Sequence, residues 1–205
     1  MELSNKERGL NSAYEGFIKD FKSTYPEQIA EKSGSIYNKK TEEIILKYLN
    51  KDYTIDVKTG EIVDSNSNKV PISLKTFLMG YLVTSEKTME TGEFIKFRNI
   101  HGASQYEGPF NSRTIIPMSK TFGKRPEDFL RIGEEMGGRK ADIADVSFSL
   151  QVLPFIKVIY GLYLESEEFS SEGLILFDSS IRRLCTSEII VVAASNPIYE
   201  MLRKQ

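Results

Sequence analysis

Apolar residues recur every three or four positions near the start of the chain, which predicts a first helix over residues 5 to 22. The residues that form this face are Leu10, Tyr14, Phe17, Ile18 and Phe21. Pro26 indicates the start of a short second helix that closes near Gly34. A further apolar face from Leu74 to Leu82 predicts a third helix with Ser73 as its cap.

Alternating or continuous apolar runs predict strands on either side of the third helix. The turn at residues 58 to 60 holds Gly60, which is free to take a positive φ angle between two strands. The later run 155–164 is almost entirely apolar, as expected of a central strand. The predicted strands are 44–49, 53–57, 61–63, 94–98, 146–152, 155–164 and 174–177.

The second half of the chain adds three predicted helices. One covers residues 112 to 122 and is interrupted, or begins, near Pro117. One runs from Pro126 to the glycine pair at 137–138, and one starts at Ser187 and bends at Pro197. Residues 101 to 112 are predicted to be a loop.

Hairpins precede and follow the helices, and no regular β–α–β alternation is present. This order favours an α+β fold, with helices packed on a largely antiparallel or mixed sheet. We expect a single domain over residues 1–205, in which 1–90 can form an N-terminal helical and hairpin lobe and 91–205 an α+β portion.

Composition narrows the class of protein. The chain has 205 residues, 40% of them hydrophobic, and a net charge of −2, which gives no overall attraction to nucleic acid or membrane. One cysteine, Cys185, excludes internal disulfides and all-cysteine metal sites. A charged N-terminus without an apolar core predicts a cytoplasmic protein.

Charge is distributed unevenly along this nearly neutral chain. Residues 96 to 125 carry six basic side chains and one acid, Glu107, which makes +5 for the segment and leaves −7 for the rest. The surrounding stretch 94–125 also holds the only histidine, His101, among several small residues. Arginine pairs can grip carboxylates or phosphates, and small residues let the backbone approach a ligand.

These features predict a binding site for an anionic small molecule or cofactor. Its candidate residues are Arg98, His101, Ser104 and Arg113. The simpler alternative is that the basic side chains scatter over several faces and pair with nearby acids. The leading hypothesis is therefore a non-catalytic or accessory binding domain, with no resident metal and no identified cofactor.

Two other functions stay open. The chain can be an enzyme that acts on a carboxylated or phosphorylated metabolite with His101 as base, which requires a second titratable group nearby. It can also be a protein-partner module with a broad apolar patch. Cys185 follows two arginines that favour a thiolate, although no active-cysteine motif surrounds it.

Several short motifs, taken in order, are similar to a known family. They are 53–62 (YTIDVKTGEI), 92–98 (GEFIKFR), 113–118 (RTIIPM), 122–123, 137–138, 145–148 (DVSF) and 176–178 (LFD). The set resembles an uncharacterised domain-of-unknown-function family of anaerobic bacteria and archaea, and it covers nearly the whole chain.

The resemblance implies no catalytic residues, because the family has no established activity. Some of its members are joined to iron–sulfur segments, which this chain cannot match with one cysteine. Others are encoded beside corrinoid-dependent methyl-transfer proteins, so the resemblance implies a corrinoid-type protein as a possible partner. Residues 99–104 are a near miss to the corrinoid loop D-x-H-x-x-G, with Asn99 and Ser104 as the two mismatches.

Overall fold

The computed structural model describes residues 4–184 and 186–205. The helices are α1 (Asn5–Ser23), α2 (Pro26–Ser33), α3 (Ile72–Thr84), α4 (Glu107–Arg113), α5 (Ile115–Phe122), α6 (Pro126–Glu135) and α7 (Ser187–Arg203). The strands are β1 (Ile36–Asn38), β2 (Glu43–Tyr48), β3 (Lys51–Asp56), β4 (Ile62–Asp64), β5 (Phe94–Lys96), β6 (Arg139–Lys140), β7 (Val146–Leu153), β8 (Ile156–Tyr163) and β9 (Glu172–Asp178).

The strands form two sheets, and every pairing in both is antiparallel. The first sheet has the order β1-β2-β3-β4, and the second has the order β5-β9-β8-β7-β6. Helices pack on these sheets, which confirms the predicted α+β class. The Leu49 amide donates to the Val152 carbonyl at 2.9 Å and joins the first sheet to the second.

The turn between β3 and β4 forms as the sequence predicts. Gly60 takes a φ of +78°, a conformation that glycine adopts without steric cost. Asp56 closes the turn by accepting a hydrogen bond from the Thr59 amide at 2.6 Å. The Tyr14 hydroxyl donates to the Gly60 carbonyl at 2.6 Å and ties α1 to the turn.

Helix α3 lies at the centre of the molecule. All seven residues from Thr76 to Leu82 are buried, so the helix needs cover on every side. Helices α1, α2 and α7 pack against it. Its Tyr81 hydroxyl donates to the Ser33 carbonyl at 2.8 Å and holds the end of α2 in place.

Three local predictions were wrong, each for a physical reason. Helix α3 begins at Ile72 after Pro71, so Ser73 lies inside the first turn and does not cap it. Residues 104–113 are helical, not a loop, because Pro109 falls in the first turn of α4, where no amide hydrogen bond is needed. Strands β1 and β6, three and two residues long, were not predicted because they are too short to show an alternating pattern.

Asp178 fixes the start of the basic segment. Its buried carboxylate ends β9 and accepts hydrogen bonds from the amides of Thr91, Gly92 and Ser180 at 2.8 to 3.1 Å. Burial alone raises its pKa, but the hydrogen bonds outweigh burial and hold the pKa at about 2. The carboxylate therefore stabilises the fold in its ionised form.

Within the described part of the chain, no helix combines the length and the apolar character needed to cross a membrane.

We expect Gly133→Ala and Gly16→Ala to change stability in opposite directions. A Cβ at Gly133 in α6 would lie 2.6 Å from the Phe148 ring, which is packed between Phe129 and Tyr160. This overlap should lower the free energy of unfolding by about 1–3 kcal/mol. At Gly16 the space is open, so alanine should raise the free energy by about 0.5–1 kcal/mol. Urea unfolding of both variants measures the difference.

We also expect Asp178→Asn to lower the free energy of unfolding at pH 7 by about 2 kcal/mol, because three amides lose an ionised acceptor. The folded pKa of Asp178 lies below its ordinary value of 3.8. The contribution of the Asp178 carboxylate to the free energy of unfolding is therefore complete above about pH 4 and is lost as the pH falls through about 2. Urea unfolding at several pH values should show wild type and variant converging below pH 4. A constant gap between them would contradict this assignment.

Candidate functional site

The basic segment bends repeatedly, and this disperses its charges. After β5, a 3-10 turn at Phe97–Asn99 leads to a second one at Ser104–Tyr106, followed by α4 and α5. Gly102 has a φ of +74° in the turn between the two, which allows the chain to reverse there. Successive basic side chains therefore point from different short elements.

The four predicted binding residues are all exposed. The Nε atom of Arg98 lies 3.7 Å from a carboxylate oxygen of Glu107. His101 lies in the exposed turn, and Ser104 begins the second 3-10 turn. Arg113 is the last residue of α4.

Arg98 and Arg113 border two separate cavities. Arg98 lies on one of about 240 Å³ together with Glu107 and Glu172. Arg113 lies on one of about 430 Å³ between α4 and the start of α7. Neither cavity is lined by His101 or Ser104. Joint binding by the four residues stays a prediction.

Lys96 lies on the same cavity as Arg98, and the other three cations of the segment border a third, open groove of about 600 Å³. Lys120, Lys124 and Arg125 line this groove together with Glu165. Lys124 lies 3.3 Å from Glu165, and Arg125 lies 4.0 Å from Asp128. Thus much of the segment's positive charge is compensated locally, as the simpler alternative expected.

The Arg113 cavity differs from the others because its wall is mainly apolar. Phe110 forms part of the wall, and its ring stacks on Phe97 with centroids 4.1 Å apart. Val191 and Val192 of α7 and the half-exposed Tyr106 ring complete most of it. We call this space the α4–α7 cavity.

The charges at the α4–α7 cavity are few. Arg113 forms no ion pair with any residue in the described ranges. Its position at the end of α4 favours a cation, since carbonyl dipoles accumulate there. Glu188, in the first turn of α7, is the acidic residue on the rim.

The enzyme alternative finds little support in the geometry. His101 makes no hydrogen bond or ion pair with another residue in the described part of the chain, so no second titratable group among those residues contacts it in this way. Cys185, the other candidate for such a pair, lies outside the described residues. Residues 4–184 and 186–205 contain no cluster of three or more potential metal ligands.

Sequence reasoning missed a polar cavity of about 560 Å³ at the other end of α7. Tyr48 and Tyr53 enter it from β2 and β3, and Asn196, Glu200 and Arg203 enter it from α7. These positions are about 150 residues apart in the chain, and no motif joins them. The apolar alternation in 44–57 marked the two tyrosines only as core residues. We call this space the tyrosine cavity.

The comparisons with known proteins identify a family and nothing more specific. No curated protein and no solved structure matches the chain. A match to one family covers residues 25–198. It says nothing about corrinoids or about the organisms in which the family occurs. Over most of its length, the chain therefore belongs to the family described as a domain of unknown function, DUF3786.

Proposed function

We propose that the chain is a non-catalytic, accessory binding domain for a small carboxylate with an apolar body, held in the α4–α7 cavity. One observation carries this proposal: an arginine without an ionic partner among the described residues stands beside an apolar cavity of about 430 Å³. Of the four residues that the sequence singled out, the proposal relies on Arg113.

The apolar wall suits the body of such a ligand. Phe110 is held by its stack on Phe97 and by Phe177 at 6.2 Å, so the wall is formed before a ligand arrives. Small-molecule sites are commonly cavities of this size, lined by apolar and aromatic residues with a few polar groups. Burying the ligand body there would remove apolar surface from water.

The charges select the head group. A guanidinium can hold both oxygens of a carboxylate with parallel hydrogen bonds. The first turn of α7 lies at the same cavity. Thr186 occupies the N-terminal cap position of this helix, but its side chain accepts no hydrogen bond from the helix amides. Glu188 disfavours a second negative charge. A monoanionic carboxylate therefore suits the cavity better than a phosphate dianion.

We expect Arg113→Ala to weaken octanoate binding about 30-fold, because it removes a charge-assisted pair of hydrogen bonds worth about 2 kcal/mol. Arg98→Ala is the matched control, because it removes another exposed arginine, which borders a different cavity. Isothermal titration calorimetry on wild type and both variants gives the affinities, with octanol as the uncharged probe. Equal losses in the two variants, or no saturable octanoate binding to wild type, would refute the proposal.

The affinity of the protein for straight-chain carboxylates should also rise with chain length from butanoate to octanoate. Each added methylene that enters the apolar wall contributes up to about 0.8 kcal/mol until the cavity is filled. The same titrations measure the series, and affinities independent of chain length would show that the wall takes no part.

The rim acid gives an independent prediction. We expect Glu188→Gln to strengthen octanoate binding about threefold at low salt, because an exposed like charge is removed from the site. The gain should shrink at high ionic strength, which screens the repulsion. Titrations at two salt concentrations test this. Weaker binding by the variant would indicate that Glu188 accepts a hydrogen bond from the ligand, contrary to anion selection.

A further inference from the structure

The tyrosine cavity lies where three parts of the chain meet. Strands β2 and β3 form one wall, the first turn of α3 forms another, and the last turns of α7 form the third. Its volume of about 560 Å³ is within the usual range for small-molecule sites. It shares no lining residue with the α4–α7 cavity.

Tyr53 shows that the cavity is shaped for a polar occupant. The residue is only 7% exposed, yet its hydroxyl hydrogen-bonds no other residue in the described part of the chain. Among the described residues, the only fully sealed polar side-chain atom without a partner is the Ser85 hydroxyl. The Tyr53 hydroxyl is therefore accessible, and water or a molecule in the cavity that the residue lines can be its hydrogen-bond partner.

Tyr48 lies beside Tyr53, with ring centroids 6.0 Å apart. It is 5% exposed, and the Asn196 side chain lies close enough to its hydroxyl to lower its pKa. Burial raises the pKa of both tyrosines, and the charge of Glu200 raises them further. Both hydroxyls are therefore protonated at neutral pH and can donate.

Two opposite charges on α7 face this cavity without pairing with each other. Glu200 and Arg203 both line it, but no ion pair joins them. Glu200 is 26% exposed, and its nearest cation is Lys51 at 3.9 Å. The Nε atom of Arg203 donates to the Tyr199 carbonyl at 3.2 Å, which leaves its terminal nitrogens free of described partners.

The first turn of α3 adds hydrogen-bond donors on the opposite wall. No side chain caps this helix and its first turn contains no acid. The amides of Leu74 and Lys75 already donate to the Pro71 carbonyl, which leaves those of Ile72 and Ser73 without a partner among the described residues. Ser73 lines the cavity. The free amide ends of a helix attract a negative group.

We propose that the tyrosine cavity binds a zwitterion of the amino-acid type. The ligand's ammonium group pairs with Glu200 beside the two tyrosine rings and hydroxyls. Its carboxylate pairs with Arg203 and the first turn of α3. A zwitterion offers Glu200 a closer cation than Lys51 and also provides partners for Arg203 and the Tyr53 hydroxyl, whereas a ligand with one charge can pair with only one of the two α7 side chains.

The proposal is tested by NMR on protein with ¹³C-labelled tyrosine rings. The chain has ten tyrosines, and substitution of Tyr48 and Tyr53 assigns their two signals. All of these spectra are recorded on the Arg113→Ala variant, in which carboxylate binding at the α4–α7 cavity is expected to be weaker. The probes are the standard L-amino acids, their N-acetyl derivatives without an ammonium group, and their amides without a carboxylate.

At least one amino acid should shift both tyrosine signals saturably, and each of its blocked forms should bind at least tenfold more weakly. Glu200→Gln should abolish the preference for the free amino acid over its N-acetyl form. Arg203→Gln should abolish the preference for the free amino acid over its amide. The proposal is overturned if no amino acid saturates the two signals or if the blocked forms bind as well. Octanoate binding in the wild type is measured separately, so either site can fail alone.

Tyr53→Phe separates a binding role from a structural one. Because the hydroxyl has no partner among residues 4–184 and 186–205, its removal should leave the melting temperature of the free protein unchanged or slightly higher. The affinity for the amino acid should fall about tenfold. A lower melting temperature with unchanged affinity would assign the hydroxyl to the fold and overturn this part of the proposal.

Discussion

The structure depends on the burial of helix α3. Its residues Thr76 to Leu82 have no face that tolerates water, so a single covering layer is insufficient. Helices α1 and α2 cover it from the N-terminal part of the chain, and α7 returns from the C-terminal end to complete the cover. A continuous core results, which includes buried residues of both sheets.

This arrangement also explains why both proposed sites involve α7. Helix α7 packs against α3, and Ile189 in its first turn lies beside Gly80 of α3. The first turn of α7 lines the α4–α7 cavity. Its last turns line the tyrosine cavity together with the first turn of α3. Pro197 lies inside α7 between Asn196 and Tyr199, which line the tyrosine cavity, and its side chain is buried. One packing requirement thus creates both cavities.

Much of the fold could be predicted from the sequence, because most elements are long enough to show a period. Helix α1, the turn at Gly60 and the long strands β7 and β8 follow directly from apolar spacing and turn chemistry. The short strand β6 could not be predicted, since two residues carry no pattern. Helix α4 was missed because Gly108 and Pro109 suggest a loop, although both lie in its first turn.

The sites were less predictable, because a cavity is formed by residues that are distant in sequence. Arg113 was identified from local charge, but its apolar partners Val191 and Val192 belong to a helix almost eighty residues later. The tyrosine cavity had no local sign, since Tyr48 and Tyr53 read as ordinary core residues. Only the folded structure shows that these two tyrosines line the same cavity as Glu200 and Arg203 of α7.

The dispersal of the basic segment has a kinetic consequence. Arg98, Lys124 and Arg125 each lie within 4.0 Å of a carboxylate, so their fields cancel at short range. These three side chains then exert no long-range attraction on a charged molecule in solution, which reaches them by undirected diffusion, at rates of about 10⁵–10⁷ M⁻¹s⁻¹. For such a surface, selection among ligands occurs after contact, through the time for which each one remains bound.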